Sequence, residues 1–196
     1  LSYAFIKYRL SIAPGHYTVD KPLAFQQAEI ELNSTEALDI VGRDWSNAAN
    51  ISCSPTTTCV RVDIYNPAGA PVQNIRLSPK KISELRFTRG VATNGSTAAA
   101  EVGGAMYINN LDTTSIIISR CVFEGFVAIT TGGAVSIVNV GAHILFSGSL
   151  FAGNTVRGGS NGDSGHGSGG AVYIDSASDV EFSNCTFEDN SASGPG

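Results

Sequence analysis

Charge is scarce in this chain. Only 15% of its 196 residues are Asp, Glu, Lys or Arg, and methionine and tryptophan occur once each. Lysine is rare, and no long run of good helix formers occurs. What remains is rich in Gly, with 22 residues, and in Ser, Thr and Asn, a composition of strands and turns. The net charge of −5 argues against a nucleic-acid partner, because phosphate binding wants a basic patch. No run of about 18 apolar residues exists, so no segment here has the length of a membrane-spanning helix. The opening LSYAFIKYRL has no small-residue cleavage site of a signal peptide. The close, NSASGPG, follows a repeat directly, and a repeat array exposes its last apolar layer unless something covers it. The expectation is one domain, 1–196, that is a fragment of a longer chain.

Four cysteines are too few for a disulfide-dense scaffold. Cys53 and Cys59, in SCSPTTTC, are close enough to close a small local disulfide. Four N-x-[ST] sequons stand at Asn33, Asn50, Asn94 and Asn184, candidates for N-glycosylation. Sequons beside a local disulfide lean towards a protein that is secreted, at the cell surface or in an extracellular matrix.

A short phrase recurs. Gly pairs open units at Gly103, Gly132 and Gly169, with spacings of 29 and 37. Phenylalanines close units at Phe87, Phe123, Phe151 and Phe187, with spacings of 36, 28 and 36. After each Gly pair, Met106, Val135 and Val172 form one apolar column, and Ile108, Ile137 and Ile174 form another. Tyr107, Ser136 and Tyr173 lie between them, so period-2 alternation puts the apolar columns inside and this column outside. The second strands are IIISRCVF, ILFSGSLF and VEFSNCTF (116–123, 144–151, 180–187), and KISELRF (81–87) fits the same frame. Their alternation slips at Ser-Arg, Ser-Gly and Ser-Asn, which predicts a corner where Gly and Asn tolerate the backbone. Strand, turn, strand, corner, short strand and loop make one coil of a parallel β-helix, stacked ~4.8 Å on the next. The fold class expected is all-β, a right-handed parallel β-helix of about six or seven coils. Its 1–80 part holds irregular coils, and 81–196 holds the regular repeats. The core stack comprises Ile108, Ile137, Ile174, Phe87, Phe123, Phe151 and Phe187. Cys121 and Cys185 share an inward column with Ser149 between them. Two layers separate them by ~9.6 Å, beyond the ~4.4–6.8 Å of a disulfide, so both are expected as buried free thiols.

GGAMY, GGAVS and GGAVY, with Phe151-Ala-Gly-Asn154 and Phe187-Glu-Asp-Asn190, resemble the repeats of chlamydial polymorphic membrane proteins. Similar repeats occur in secreted right-handed β-helix proteins of the pectate-lyase-like superfamily. Phe123-Glu-Gly-Phe126 and Phe87-Thr-Arg-Gly90 depart from that pattern by losing the Asn. LSIAPGHYTV (10–19) resembles an opening coil, and LDIVGRD (38–44), ISC (51–53) and ISELRFTRG (82–90) resemble the coils after it. The resemblance implies a surface display or adhesive role and brings no catalytic residues with it.

Pectin-degrading enzymes share this fold, so a polysaccharide-active enzyme is the rival. Gly165-His166-Gly167 and Asn110-Leu-Asp112 match parts of a polygalacturonase set, but the chain has no Asp-Asp dipeptide and no downstream Arg-x-Lys. Glycoside hydrolysis needs two carboxylates held across one bond. Asp163, Asp175 and Asp179 could meet around Ca²⁺, although turn aspartates ordinarily cap backbone. His16 and His143 have no second ligand at metal spacing. The Gly-rich run 158–170 lacks the Lys-Ser/Thr of a P-loop, and no Arg-Gly-Asp occurs. Tyr107 and Tyr173 could stack sugars from an outer face. The expectation is therefore a non-enzymatic structural or adhesive module, with no catalytic residues, metal or cofactor. Its partners are other subunits or further domains of its own chain. A carbohydrate-active or carbohydrate-binding module remains the alternative, with a polysaccharide as partner.

Overall fold

Apolar alternation, interrupted at the corners, with β-branched and aromatic residues at the inward positions, shapes the strands of this chain. The computed structural model describes residues 7–19, 23–25, 29–53, 59–63, 80–89, 100–109, 115–157 and 167–193. They form nineteen strands, and the described residues contain no helix. Every strand pairing is parallel.

Three sheets result. In the first, β1 (Lys7–Ile12), β4 (Glu29–Ser34), β7 (Lys80–Ser83) and β11 (Ile116–Ser119) lead to the second half of the long β14 (Val135–Ser147). Strands β3 (Leu23–Phe25), β6 (Val60–Asp63) and β10 (Met106–Asn109) lead to its first half, and β17 (Val172–Ser183) pairs with β14 along both halves. The second sheet stacks β2 (Gly15–Val19), β5 (Ala49–Cys53), β8 (Leu85–Arg89), β12 (Val122–Glu124), β15 (Leu150–Ala152) and β18 (Thr186–Glu188). The third stacks β9 (Ala100–Val102), β13 (Val127–Thr131), β16 (Thr155–Val156) and β19 (Ser191–Ala192).

Register places like on like. Met106, Val135 and Val172 are successive partners, as are Ile108, Ile137 and Ile174. Phe87, Phe123, Phe151 and Phe187 align in the second sheet. Their rings stack nearly parallel, with centroids 5.4, 4.9 and 4.7 Å apart. Two members of the expected core stack are corrected. Ile174 is 43% exposed and Phe187 48% exposed. They sit on β17 and β18, the outermost strands of their ladders, and among the described residues nothing lies beyond them.

The phase slip is a left-handed residue. Glu84, Arg120, Gly148 and Asn184 occupy the same corner with φ of 58°, 51°, 56° and 53°. The Gly pairs solve a different problem. A Cβ on Gly132, whose φ is 59°, would sit 2.1 Å from the Val135 carbonyl oxygen, and one on Gly133 would sit 2.0 Å from that of Gly170. The first glycine permits the turn and the second lets adjacent layers touch backbone to backbone.

A buried amide ladder closes the next turn. Asn154 is fully buried. Its Nδ2 donates to the Phe123 carbonyl at 3.0 Å and to Asn190 Oδ1 at 2.9 Å. Its Oδ1 accepts the Phe126 N–H at 3.1 Å, and the Asn154 N–H donates to Asn190 Oδ1 at 3.0 Å. Asn190 Nδ2 repeats the pattern on the Phe151 carbonyl at 2.9 Å. Phe126 takes the Asn position in its own repeat, and its N–H is met from the layer above.

Replacing Asn154 by Ala leaves the Phe126 N–H and Phe123 carbonyl without these partners. Each such buried group costs about 1–3 kcal/mol, so a total loss of about 3 kcal/mol is expected in urea unfolding. The half-buried Asn190→Ala should cost less.

Candidate functional site

Residues 35–48 leave the repeat and lie as a strap across the outer face of the second sheet. Polar side chains fold it locally. Ser34 Oγ accepts the Glu36 N–H at 3.2 Å, and Asp39 Oδ1 accepts the Gly42 N–H at 2.8 Å. Asp44 Oδ1 accepts the Ser46 N–H at 2.9 Å, and the hydrogen bonds from Ser46 hold this carboxyl below the usual range. Asp39 and Asp44 form an isolated antiparallel bridge, with Arg43 left-handed at φ 53°. This corrects one expectation: residues 38–44 are no coil of the repeat.

The strap builds a second small core outside the sheet. Leu38 and Ala48 pack with Val122 and Leu150, and Ile40, Trp45 and Ala152 flank them. Arg86 lies 5.4 Å from the Trp45 ring centroid, a cation–π distance. The same guanidinium donates to Glu124 Oε2 at 2.6 and 3.1 Å and to Asn50 Oδ1 at 2.9 Å. Arg43 pairs with Glu188. At the corner, Glu84 Oε2 accepts the Leu38 N–H at 2.8 Å. Arg120 Nε meets Glu84 Oε1 at 2.6 Å, and its Nη2 donates to the Leu38 carbonyl at 3.1 Å. The strap therefore touches β8, β12, β15 and β18.

Between the strap and the corner column opens a cleft of about 450 Å³. Leu38, Ile40 and Val41 form one wall; Arg120, Asn184 and Thr186 form the other. Val41 is 97% exposed. Ser149, also in the wall, is spent on structure: its Oγ accepts the Cys121 N–H and donates to the Ser147 carbonyl, both at 3.2 Å. Arg120 is held by Glu84, and Asp39 by Gly42. The Asn184 carboxamide makes no hydrogen bond in the described chain.

The other expected residues scatter. Asn110, Asp112, Asp163 and His166 lie outside the described residues, as does the sequon at Asn94. Asp179 pairs with His143 at 2.9 Å, and Asp175 accepts the Ser176 hydroxyl at 3.0 Å. Among the described residues no three His, Cys, Asp or Glu side chains gather as for a metal. His16 is exposed on β2. Tyr107 and Tyr173 are half-buried, and Ser136 between them is buried.

The sequons separate sharply. Asn50 is 6% exposed, its Oδ1 accepts from Arg86 at 2.9 Å and its Nδ2 donates to the Ala48 carbonyl at 3.4 Å. Asn33 is half-buried, donates to the Ser34 carbonyl at 3.0 Å and accepts the Ser11 hydroxyl at 3.2 Å. Asn184 stands exposed at the corner.

Cys53 and Cys59 are disulfide-bonded, with Cα atoms 5.1 Å apart, and both are buried. Cys121 and Cys185 are free. Cys121 is buried, and desolvation pushes its thiol up to about 12. Cys185 is corrected: it is half-buried, because β17 and β18 carry no further layer among the described residues. Desolvation still raises its thiol.

The strap was not legible beforehand. Its apolar residues have a strand-like spacing, and the slip that marks Arg120 as a corner residue gives no sign of a contact with Leu38. Two tests follow. Glu84→Asn keeps a residue that tolerates the left-handed corner but replaces the carboxylate by a shorter, uncharged amide. Hydrogen exchange at the Leu38 amide should quicken by about tenfold or more, the loss of one charge-assisted bond. An alkylating reagent should modify Cys185 before Cys121, and Cys53 and Cys59 only after reduction. An unfolded thiol ionises near ~8.5, below the folded Cys121 value. Its contribution to stability is complete below that pH and should fall as pH climbs towards about 12.

Compared with known proteins, the chain matches no family model, no curated protein and no solved structure.

Proposed function

We propose that the chain is a right-handed parallel β-helix. It serves as a non-enzymatic structural or adhesive module of an extracellular or cell-surface protein. Successive strands visit the sheets in a fixed cycle, as in β11, β12, β13 and β14, then β15, β16 and β17, each landing beside its predecessor. Parallel crossovers of this kind are right-handed in about 98% of cases. The Cys53–Cys59 bond supports an oxidising compartment.

The observation that carries the functional reading is where the repeated residues go. Gly132-Gly133 is consumed by backbone contact, Ile137 and Phe151 by the core, and Asn154 by backbone hydrogen bonds. The repeat specifies shape, and the outward positions are free to differ. Outward in the second sheet, the sequence runs His16, Asn50, Arg86, Val122, Leu150 and Thr186. Such a scaffold presents its faces to other subunits or to further domains of its own chain.

The test is a panel of neutral and acidic polysaccharides, read for retention and for new reducing or unsaturated ends. No cleavage is expected. Measurable cleavage would overturn the scaffold reading in favour of a carbohydrate-active enzyme, and retention without cleavage would favour a carbohydrate-binding module.

A further inference from the structure

We infer that Asn184 is a site of N-glycosylation, and that the cleft beside it seats the first sugars of the glycan. The inference rests on the extracellular reading and goes beyond it by choosing among the three sequons that lie within the described residues.

The fold makes that choice. A sugar on Asn50 would have to replace its hydrogen bonds inside a buried pocket roofed by the strap, so a chain carrying one could not close this structure. Asn33 has both amide atoms engaged on a sheet face. Asn184 is exposed, projects from a left-handed corner with φ 53°, and makes no hydrogen bond in the described chain. Its partner in the sequon, Thr186, is exposed as well. In the transfer, the Asn184 Nδ2–C1 bond forms as the C1–O bond to the diphosphate of a lipid-linked oligosaccharide breaks. The amide proton passes to the transferase.

The surroundings of Asn184 suit a glycan rather than bare solvent. Asn184 and Thr186 lie in the wall of the 450 Å³ cleft, and Val41, 97% exposed, belongs to the opposite wall with Ile40. A sugar ring has an apolar face and a hydroxylated rim. Here the apolar face would rest on Ile40 and Val41, and the rim would reach Thr186 and the guanidinium of Arg120. That contact would remove from water the exposed apolar tip of the strap.

The test uses the protein secreted through a eukaryotic endoplasmic reticulum. Amidase removal of N-glycans in heavy-oxygen water should leave a labelled Asp at position 184 and none at position 50. Asn184→Gln and Thr186→Ala should each lose one glycan in mass. The second variant keeps the corner residue, so loss of sugar is not confused with loss of fold. Hydrogen exchange at Val41 and Gly42 should be slower before glycan removal than after. An unmodified Asn184 in the secreted protein overturns the inference, and equal exchange overturns the seating. The Cys53–Cys59 bond is read from the same digest. If it is intact while Asn184 is bare, the extracellular reading stands and this inference alone fails; if the cysteines are reduced, the extracellular reading fails.

Discussion

The described structure depends on parallel pairing that holds register along its inward columns, with shifts confined to Ala128/Thr131 and Val140/His143. When strands pair in register, each residue sits ~4.8 Å above its counterpart, and a property useful in one layer must be useful in the next. Phenylalanine satisfies this requirement by stacking its ring, as Phe87, Phe123, Phe151 and Phe187 do. Asparagine satisfies it through an amide that both donates and accepts. Asn154 and Asn190 each reach a carbonyl in the layer below, and Asn190 also takes two hydrogen bonds from Asn154. A charge would fail the same requirement, because a column of like charges repels itself and costs several kcal/mol per ion to bury. The scarcity of charge and the repetition of Phe and Asn are two consequences of one constraint.

The corner sets the second condition. A left-handed backbone costs a residue with a Cβ roughly 1–2 kcal/mol, and this cost recurs in every layer. Gly148 avoids it and Asn184 tolerates it, but Glu84 and Arg120 do neither. Those two residues hold the strap through the Leu38 N–H and carbonyl and through each other. The corner residues least suited to their backbone therefore make the contacts that tie distant parts of the chain together. The strap in turn covers Val122 and Leu150, apolar residues on what would otherwise be a wet face. It exchanges an exposed apolar column for one exposed tip, at Val41.

How much of this was legible follows from the same physics. Columns and corner could be predicted because they repeat: Ile108, Ile137 and Ile174 announce an inward position, and the slip after Ser119, Ser147 and Ser183 announces a turn. The strap could not be. LDIVGRD occurs once, and its alternation is that of a strand. What diverts it is Glu84, 46 positions away from Leu38. The burial of Asn50 was equally hidden, since a sequon names three residues and says nothing about which face they occupy. Ile174, Phe187 and Cys185 have the right side chains in the right columns, yet they are exposed or half-exposed. Burial belongs to a residue and its neighbours together, and a pattern along one strand reports only half of that pair.

The repeat and the candidate site are for this reason complementary in sequence. Along the second sheet the inward column repeats one residue type through four layers, while the outward column changes at every step from His16 to Thr186. The strap takes the middle of that outward column and leaves both its ends exposed. One of those ends is the sequon at Asn184 and Thr186. In the inward column, one substitution disturbs the layers on both sides. Outward, a substitution disturbs only its own surroundings, so recognition or modification can be altered there without rebuilding the stack. A chain built this way can hold its form constant while its surface diverges, which is the property that a display scaffold requires.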